Sequence, residues 1–317
     1  MSSTSLFTDQ INTATTTIVF CVLVINFLLG SISLVLNIII FTRPTLRRQP
    51  CAIYFLTSSC LSLFVIYVIL PVRIVSNSFN EDLANYYLFV CKTEFFLFFS
   101  VRATSCWAIL FACIDRYFHS SSNVNLRRLS SIKTAKIAMI LTSLIISLSY
   151  THMIVYYTIK QTVNQYGTIR AVCTDQNGNY ATFSAFWHMI LYSLGPTIFM
   201  FLFGYLTLRN LRQGRRLVPA IRTENQRNIR RTDNQLSRML ASQVFVIVIA
   251  TLPFSFCRIY VSLTENIPKD TLRLAQENLA IKTLGAMTYF THSTTFYLYT
   301  LTGTLFRREL AKICQFK

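Results

Sequence analysis

Charged side chains are scarce in this sequence, and acidic ones most of all. Only 13% of the 317 residues are Asp, Glu, Lys or Arg, whereas a soluble domain carries about 25%. The chain has 12 acids against 30 bases, so its formal net charge is +18, and 53% of its residues are hydrophobic. A soluble domain with one core is therefore excluded, because the apolar runs are too long and too regularly spaced to be buried together.

Signatures of metal binding and of catalysis are also missing. The nine cysteines form no CxxC pair and share no zinc-like spacing with the four histidines. Nothing resembles a nucleophile triad or a phosphate-binding loop, so we predict no cofactor, no metal and no enzymatic activity. Residues 1–17 contain one acid and no base, which is unlike a secretory signal peptide. The first apolar segment is therefore expected to act as a signal anchor.

Seven long apolar runs dominate the sequence. A helix that crosses a membrane needs about 20 predominantly apolar residues. The runs cover residues 18–41, 51–72, 88–118, 137–158, 182–208, 239–263 and 283–303. Each run is too long for a β-strand and too continuous for a surface helix, so the sequence predicts an all-α membrane protein with seven spans.

Basic residues alternate strongly between the connectors of these runs. Connectors 42–50, 119–136, 209–238 and 304–317 hold 20 Lys or Arg residues, whereas 1–17, 73–87, 159–181 and 264–282 hold six. Loops rich in Lys and Arg remain in the cytoplasm. The pattern predicts an extracellular N-terminus at 1–17, a transmembrane domain at 18–303 and a cytoplasmic end at 304–317. The arginines of 209–238 could also form a nucleic-acid patch, but the alternation favours a cytoplasmic loop without a nucleic-acid partner.

The third run carries a motif at each membrane face. Cys91 lies near its outer end, and Asp115, Arg116 and Tyr117 lie in sequence at its inner end. The 25 residues from Cys91 to Arg116 correspond to roughly 37 Å of helix. This arrangement resembles the third helix of rhodopsin-like G-protein-coupled receptors. In that family the cysteine pairs with one in the second outer loop, which implies a disulfide between Cys91 and Cys173.

Further positions support the resemblance, which covers almost the whole chain. Asn37 stands in the first run, where the family keeps an Asn. Pro71, Pro196 and Pro253 stand in runs two, five and six, where the family has prolines at similar places. Proline kinks a spanning helix and frees a carbonyl. Residues 304–317 resemble the short amphipathic eighth helix of the family, so the expected fold is a seven-helix bundle with this helix attached.

Several family motifs are altered. Run two has Ser62 where the family has an Asp, so a sodium site of the family type is not expected. Run six reads Ala-Thr-Leu before Pro253 instead of Cys-Trp-x-Pro. Run seven keeps only Tyr299 of the motif Asn-Pro-x-x-Tyr, and Tyr205 comes nine residues after Pro196 instead of eight. These changes indicate a divergent branch.

The resemblance implies a G-protein switch at the inner face. Arg116 would be held at rest by Asp115 and would contact the G protein after activation. Tyr117, Tyr205 and Tyr299 belong to the same switch. The alternative for Arg116 is an interfacial side chain that reaches lipid phosphate.

A second acid is a candidate partner of the arginine in run three. Asp233 lies twenty residues before Pro253, where an acid in some family members pairs with that arginine. We hypothesise a latch between Arg116 and Asp233 that closes the cytoplasmic cleft. The alternative is a solvated acid among many arginines.

Four residues are candidates for the ligand pocket: Phe98, Arg102, Lys282 and Tyr289. Arg102 lies eleven residues below Cys91, roughly 16 Å down the helix, where a charge is costly. It is either an anchor for a ligand carboxylate or a structural arginine bonded within the bundle, for example towards His292. Phe98 replaces the Asp by which amine receptors bind ammonium, and Tyr289 replaces the retinal-binding Lys of visual pigments. Neither ligand class is therefore expected.

Two peripheral segments complete the predictions. Residues 160–173 read as a β-hairpin with Thr- and Val-containing arms around a Gln-Tyr-Gly turn, which resembles peptide-binding members of the family. Cys314 in the basic terminal helix is a candidate for palmitoylation, with an unmodified thiol as the alternative.

The expected function is that of a receptor in the plasma membrane. It would bind an extracellular ligand, with a peptide favoured, and activate a heterotrimeric G protein. The alternatives are a transporter or channel with seven spans and a non-signalling decoy receptor. A transporter would be expected to show internal repeats, and no repeat is visible in the sequence.

Overall fold

The computed structural model describes residues 3–47, 49–79, 82–163, 169–176, 178–216, 224–265 and 267–315. Six helices in this part of the chain are long and apolar enough to cross a membrane. They cover Leu6–Phe41, Pro50–Ser78, Leu88–Ser120, Ile132–Tyr156, Asn179–Gln213 and Gln235–Leu263. These helices overlap the first six predicted runs.

Shorter elements subdivide and connect the spans. The helices are α1 (Ser3–Phe41), α2 (Pro44–Arg47), α3 (Pro50–Phe64), α4 (Leu70–Phe79), α5 (Leu88–Ser120), α6 (Val124–Leu129), α7 (Ile132–Tyr150), α8 (His152–Tyr156), α9 (Asn179–His188), α10 (Gly195–Arg216), α11 (Glu224–Leu263), α12 (Thr271–Met287), α13 (Phe290–Ser293), α14 (Thr295–Thr302) and α15 (Thr304–Gln315). The strands are β1 (Tyr157–Val163) and β2 (Ile169–Asp175). A 3₁₀ turn covers Leu83–Asn85, and π-helical turns cover Val65–Ile69 and Met189–Leu194.

The first helix is longer than the apolar run that predicted it. It begins at Ser3 instead of at residue 18. The threonines before the run donate to carbonyls one turn back: Thr15 to Ile11 at 2.7 Å and Thr17 to Thr13 at 3.0 Å. Because these hydroxyls are satisfied within the helix, a polar stretch can continue it.

The seventh run forms three short helices in succession, α12, α13 and α14. Threonine hydroxyls near the breaks donate to backbone carbonyls, from Thr288 to Gly285 at 2.6 Å and from Thr294 to Phe290 at 2.6 Å. Such bonds compete with the helical ladder and bend helices. They give a physical reason why this span is interrupted although its sequence lacks the proline of the family motif.

The two π-helical turns lie directly before prolines. Val65–Ile69 ends two residues before Pro71, and Met189–Leu194 ends two residues before Pro196. Proline lacks an N–H and clashes with the carbonyl four residues earlier, and a wider turn moves that carbonyl away. At Gly195 a Cβ atom would lie 2.3 Å from the carbonyl oxygen of Ile190, so this turn requires glycine.

Polar and apolar residues are distributed in the opposite way to a soluble protein. Large apolar side chains such as Ile32, Ile140 and Leu301 are mostly exposed. Polar side chains such as Asn26 and Asn37 are fully buried between the helices. A bundle in lipid exposes its apolar surface and bonds its polar side chains internally, so this is a multi-pass membrane protein.

The second outer loop forms the predicted hairpin. Strands β1 and β2 pair antiparallel, with Ile159 opposite Cys173. Residues 164–168, which include the whole predicted Gln-Tyr-Gly turn, lie outside the described part of the chain. Cys173 forms the predicted disulfide with Cys91, and its backbone N–H donates to the Asn85 side chain at 2.8 Å. The hairpin is thereby fixed to the outer end of α5.

Loss of this disulfide is expected to destabilise the receptor. Cys91→Ser or Cys173→Ser opens a connection between residues 82 positions apart, which should cost about 2–4 kcal/mol of folding free energy. Both the thermal unfolding temperature of the purified protein and the level of surface expression should fall. The matched control is Cys21→Ser, at an exposed free cysteine in α1. Equal stability of the three variants would contradict the structural role.

The terminal helix α15 has two distinct faces, as expected for the eighth helix. Phe306 is buried and its ring contacts Phe41, Phe296 and Tyr299, whereas Arg307 and Arg308 are exposed. The helix thus packs one face on the bundle and turns a basic face outward. The side chain of Cys314 lies outside the described residues, so its lipidation stays a prediction.

Candidate functional site

The inner end of α5 contains a buried ion pair. Asp115 and Arg116 are both 3% exposed, and the Arg116 Nη2 atom lies 2.8 Å from the Asp115 carboxylate. The Ser130 hydroxyl, in the loop after α6, donates to the other carboxylate oxygen at 2.7 Å. Water is largely excluded from these charges, so each depends on its partners for stabilisation. The structure therefore holds the guanidinium of Arg116 at the base of the bundle.

The other predicted switch residues surround this pair to different degrees. The Tyr117 ring packs against Phe203 of α10, with ring centroids 5.6 Å apart. Tyr205 is 64% exposed and faces outward from the bundle. Asp233 belongs to α11, but its side chain lies outside the described residues, so the latch with Arg116 stays a hypothesis.

Tyr299 connects the seventh span to the sixth. Its buried hydroxyl donates to Gln243 of α11. Its ring packs against Phe41, Phe55 and Phe306. Gln243 was not among the predicted site residues. An amide side chain within the apolar sixth run could have identified it, because such a side chain needs a hydrogen-bond partner inside the bundle. The contact means that α11 cannot move relative to α14 without breaking a buried hydrogen bond.

A neutral hydrogen-bonded network occupies the middle of the bundle. The Asn37 amide donates to Thr295 at 2.8 Å. Ser62, which replaces the family's Asp, lies 2.9 Å from His292 Nδ1 and 3.3 Å from the Ser105 hydroxyl. These side chains link α1 to α14, and α3 to α5 and α13, without a carboxylate.

Arg102 lies above this network and is 1% exposed. It donates to the hydroxyls of Tyr192 and Thr288, while its Nε has no hydrogen-bond partner among the residues that the structure describes. Its guanidinium carbon is 4.9 Å from the Phe98 ring centroid, 5.0 Å from that of Tyr192 and 4.9 Å from that of Tyr289. Three predicted pocket residues, Phe98, Arg102 and Tyr289, are thus brought together. Lys282 shares no hydrogen bond, ion pair or cation–π contact with them within the described chain.

Other basic residues of the outer half have acidic partners. Arg73 bonds to Glu94 and lies 3.9 Å from Asp82. Arg258 lies 3.8 Å from Asp175, an acid of the outer hairpin. These pairs join α4 to α5 and α11 to β2. The sequence alone did not indicate them, because the members of each pair are distant in sequence.

A third outer cluster joins the loop before α12 to that helix. Glu277 lies 2.5 Å from Lys269 and 3.1 Å from Arg273. Burial raises the pKa of Glu277, but the hydrogen bonds from Lys269 and Arg273 outweigh burial and hold this pKa below its ordinary value. The carboxylate is therefore ionised at neutral pH and ties the loop to α12.

Comparison with known proteins agrees with this geometry. A search of curated proteins found no match to the chain. A family model described as 7 transmembrane receptor (rhodopsin family) matches residues 32–295, which is well over half of the chain. The matched region contains the Cys91–Cys173 disulfide and the Asp115–Arg116 pair. The chain therefore belongs to the rhodopsin family of seven-transmembrane receptors.

Proposed function

We propose that the protein is a plasma-membrane receptor with its N-terminus outside the cell, which binds an extracellular ligand and activates a heterotrimeric G protein. The observation that carries the proposal is the buried Asp115–Arg116 pair at the basic, cytoplasmic face. A guanidinium near the membrane interior is costly and persists where it has a partner or a role. Here it has a partner at rest and lies where a cytoplasmic protein can reach it after rearrangement.

The mechanism is a shift between two arrangements of the helices. A ligand that binds the active arrangement more tightly raises its population, and the G protein does the same from inside. Two contacts at the inner half favour the resting arrangement: the Asp115–Arg116 pair holds the guanidinium against its own helix, and the Tyr299–Gln243 bond joins α14 to α11. Activation would release Arg116 from Asp115 and make it available to the G protein.

A peptide with an acidic group is the ligand class that fits the outer half best. The β1–β2 hairpin, fixed by its disulfide, forms a structured outer loop of the kind that resembles peptide-binding members. The aromatic rings of Phe98 and Tyr289 surround the Arg102 cation. Lys282 lies two turns closer to the outer end than Tyr289 and offers a second positive charge to the same ligand.

The test is G-protein activation in cells that express the receptor at their surface. A panel of subtype sensors would be exposed to a pooled peptide library with free C-termini. A signal that requires the receptor would support the proposal and identify the G-protein subtype. Substrate flux in vesicles would instead favour a transporter, and binding without any sensor response would favour a decoy receptor.

The proposed latch makes a separate prediction about basal activity. Asp233→Ala should raise ligand-independent signalling several-fold, because Arg116 would lose a partner that favours the resting arrangement. Basal sensor output at equal surface expression measures this. Glu265→Ala, at an exposed acid of the outer side, is the matched control. If Asp233→Ala and Glu265→Ala both keep the wild-type basal level, Asp233 is a solvated acid and the latch is wrong.

A further inference from the structure

An apolar groove runs between α10 and α11 on the outward-facing side of these helices, at the end of the bundle that contains Arg116. It encloses about 550 Å³. Its rim includes Phe201 and Tyr205 of α10 and Phe245 and Ile249 of α11, all more than half exposed. Its floor is formed by buried side chains, among them Leu240, Val244 and Arg116. Because the rim residues face the surrounding lipid, the groove opens sideways into the bilayer and not into an aqueous pocket.

Gly204 leaves open space in this groove because it has no side chain. Gly204 lines it, and a Cβ atom built at Gly204 would meet no other heavy atom within 4 Å. The glycine is not required by backbone conformation, since the only positive φ angle at a described glycine is at Gly178. The open space at Gly204 is therefore a property of the surface, and a Cβ atom can be added there without a clash.

The cytoplasmic end of the groove is basic. A second cavity of about 230 Å³ is lined by Arg209, Arg212 and Gln213, and it shares Tyr205 and Leu208 with the groove. The shared residues place the two spaces next to each other on the surface of α10. Arg209 and Arg212 are exposed and form no salt bridge with any residue that the structure describes. Within the described chain, two guanidinium groups without an ion-pair partner thus lie next to the apolar groove.

The dimensions match one leaflet of a bilayer. The groove follows α10 from Met200 to Leu208, which is roughly 12 Å at 1.5 Å per residue. One leaflet contributes about half of the 30 Å hydrocarbon core, or about 15 Å. Arg209 follows directly in the sequence, so an acyl chain that fills the groove brings its phosphate to the level of Arg209. The order along the surface is therefore the order of a phospholipid, with hydrocarbon first and phosphate next.

We propose that this groove binds an anionic phospholipid of the inner leaflet. One acyl chain lies in the apolar part, and the phosphate is bound by Arg209 and Arg212. Arginine suits this role because its planar fork donates two parallel hydrogen bonds to phosphate oxygens. A lipid with a net negative charge is selected over a zwitterionic one, since basic side chains near the membrane surface attract anionic headgroups.

Lipid binding here is linked to the inner end of α5. Arg116 forms part of the groove floor, so a bound acyl chain covers the lipid-facing side of that guanidinium. The acyl chain also fills the space between α10 and α11 that these lining residues enclose. Occupancy of the groove thus fixes the separation of these two helices next to Arg116.

The experiment measures lipid retention by the full-length receptor and involves no G protein, so it stands apart from the proposed function. The receptor is purified in micelles that contain equimolar phosphatidylserine and phosphatidylcholine with identical acyl chains, and bound lipids are counted by native mass spectrometry. Wild type should retain phosphatidylserine with a preference on the order of tenfold, equivalent to about 1.4 kcal/mol. The double variant Arg209→Gln/Arg212→Gln should retain both lipids equally. The control Arg127→Gln/Arg128→Gln removes two exposed arginines of α6 and should keep the preference.

A second variant tests the apolar part. Gly204→Phe fills the groove in open space, so its thermal unfolding temperature should match wild type while the tightly retained lipid is lost. Full lipid retention by Gly204→Phe would show that the headgroups bind only to the basic surface and would overturn the site. The site would also be overturned if Arg209→Gln/Arg212→Gln kept the wild-type lipid preference. The same holds if the α6 control lost as much of the preference as Arg209→Gln/Arg212→Gln.

Discussion

Arg116→Ala is expected to reduce ligand-stimulated G-protein activation severely while the receptor still reaches the cell surface. Removing one partner of a buried, hydrogen-bonded charge pair costs about 2–5 kcal/mol in interactions that depend on it. Because Arg116 is proposed to exchange Asp115 for the G protein, the active complex loses this contribution in full. Ligand potency at a G-protein sensor should fall on the order of a hundredfold or more, since 1.4 kcal/mol corresponds to a tenfold change.

The control for this variant lies close by. Arg127 is also an arginine of the proposed cytoplasmic face, but it belongs to α6 and is exposed. Arg127→Ala should leave signalling within a few-fold of wild type at matched surface staining. If Arg116→Ala signals as well as Arg127→Ala, the buried pair is structural and the proposed route of activation is wrong. The route would be supported if Arg116→Ala bound ligand normally but did not signal, while Arg127→Ala did both.

Features that depend on neighbouring residues could be predicted from the sequence. The spans follow from continuous apolar composition, and the hairpin follows from its strand arms and turn. The Asp115–Arg116 contact joins adjacent residues. The Cys91–Cys173 disulfide was reached through the family resemblance and not through geometry, because nine cysteines leave many pairings open.

Contacts between distant helices could not be predicted in this way. The Tyr299 hydroxyl meets Gln243, and Ser62 meets His292, only after the helices have packed at particular rotations. The interruption of the seventh span is similar, because composition alone does not show which threonine hydroxyls bond to the backbone. Arg102 illustrates the same limit. The sequence left its partner open, and the structure places it against Tyr192 and Thr288 while His292 bonds to Ser62.

We propose that Arg102 is a ligand anchor and not a purely structural arginine, on the basis of its surroundings. Arg73 and Arg258 in the same half of the bundle each have a carboxylate within 4 Å. Arg102 is more deeply buried than either, yet its hydrogen bonds go to neutral hydroxyls and its Nε has no partner. A buried charge without a counter-ion is costly, and three aromatic faces compensate only part of that cost. An anionic ligand group would complete the site.

A comparison of paired ligands can separate the two alternatives. For a peptide that activates the receptor, replacing the C-terminal carboxylate by an amide should lower potency roughly ten- to hundredfold at wild type, the range for a hydrogen bond to a charged group. At Arg102→Gln the acid and the amide should be equally weak, because the charge that distinguishes them is gone. A purely structural arginine would instead lower the potency of both ligands by the same factor and preserve their ratio. Arg73→Gln is the control, since Arg73 is already neutralised by Glu94 and its loss should leave the acid-to-amide ratio intact.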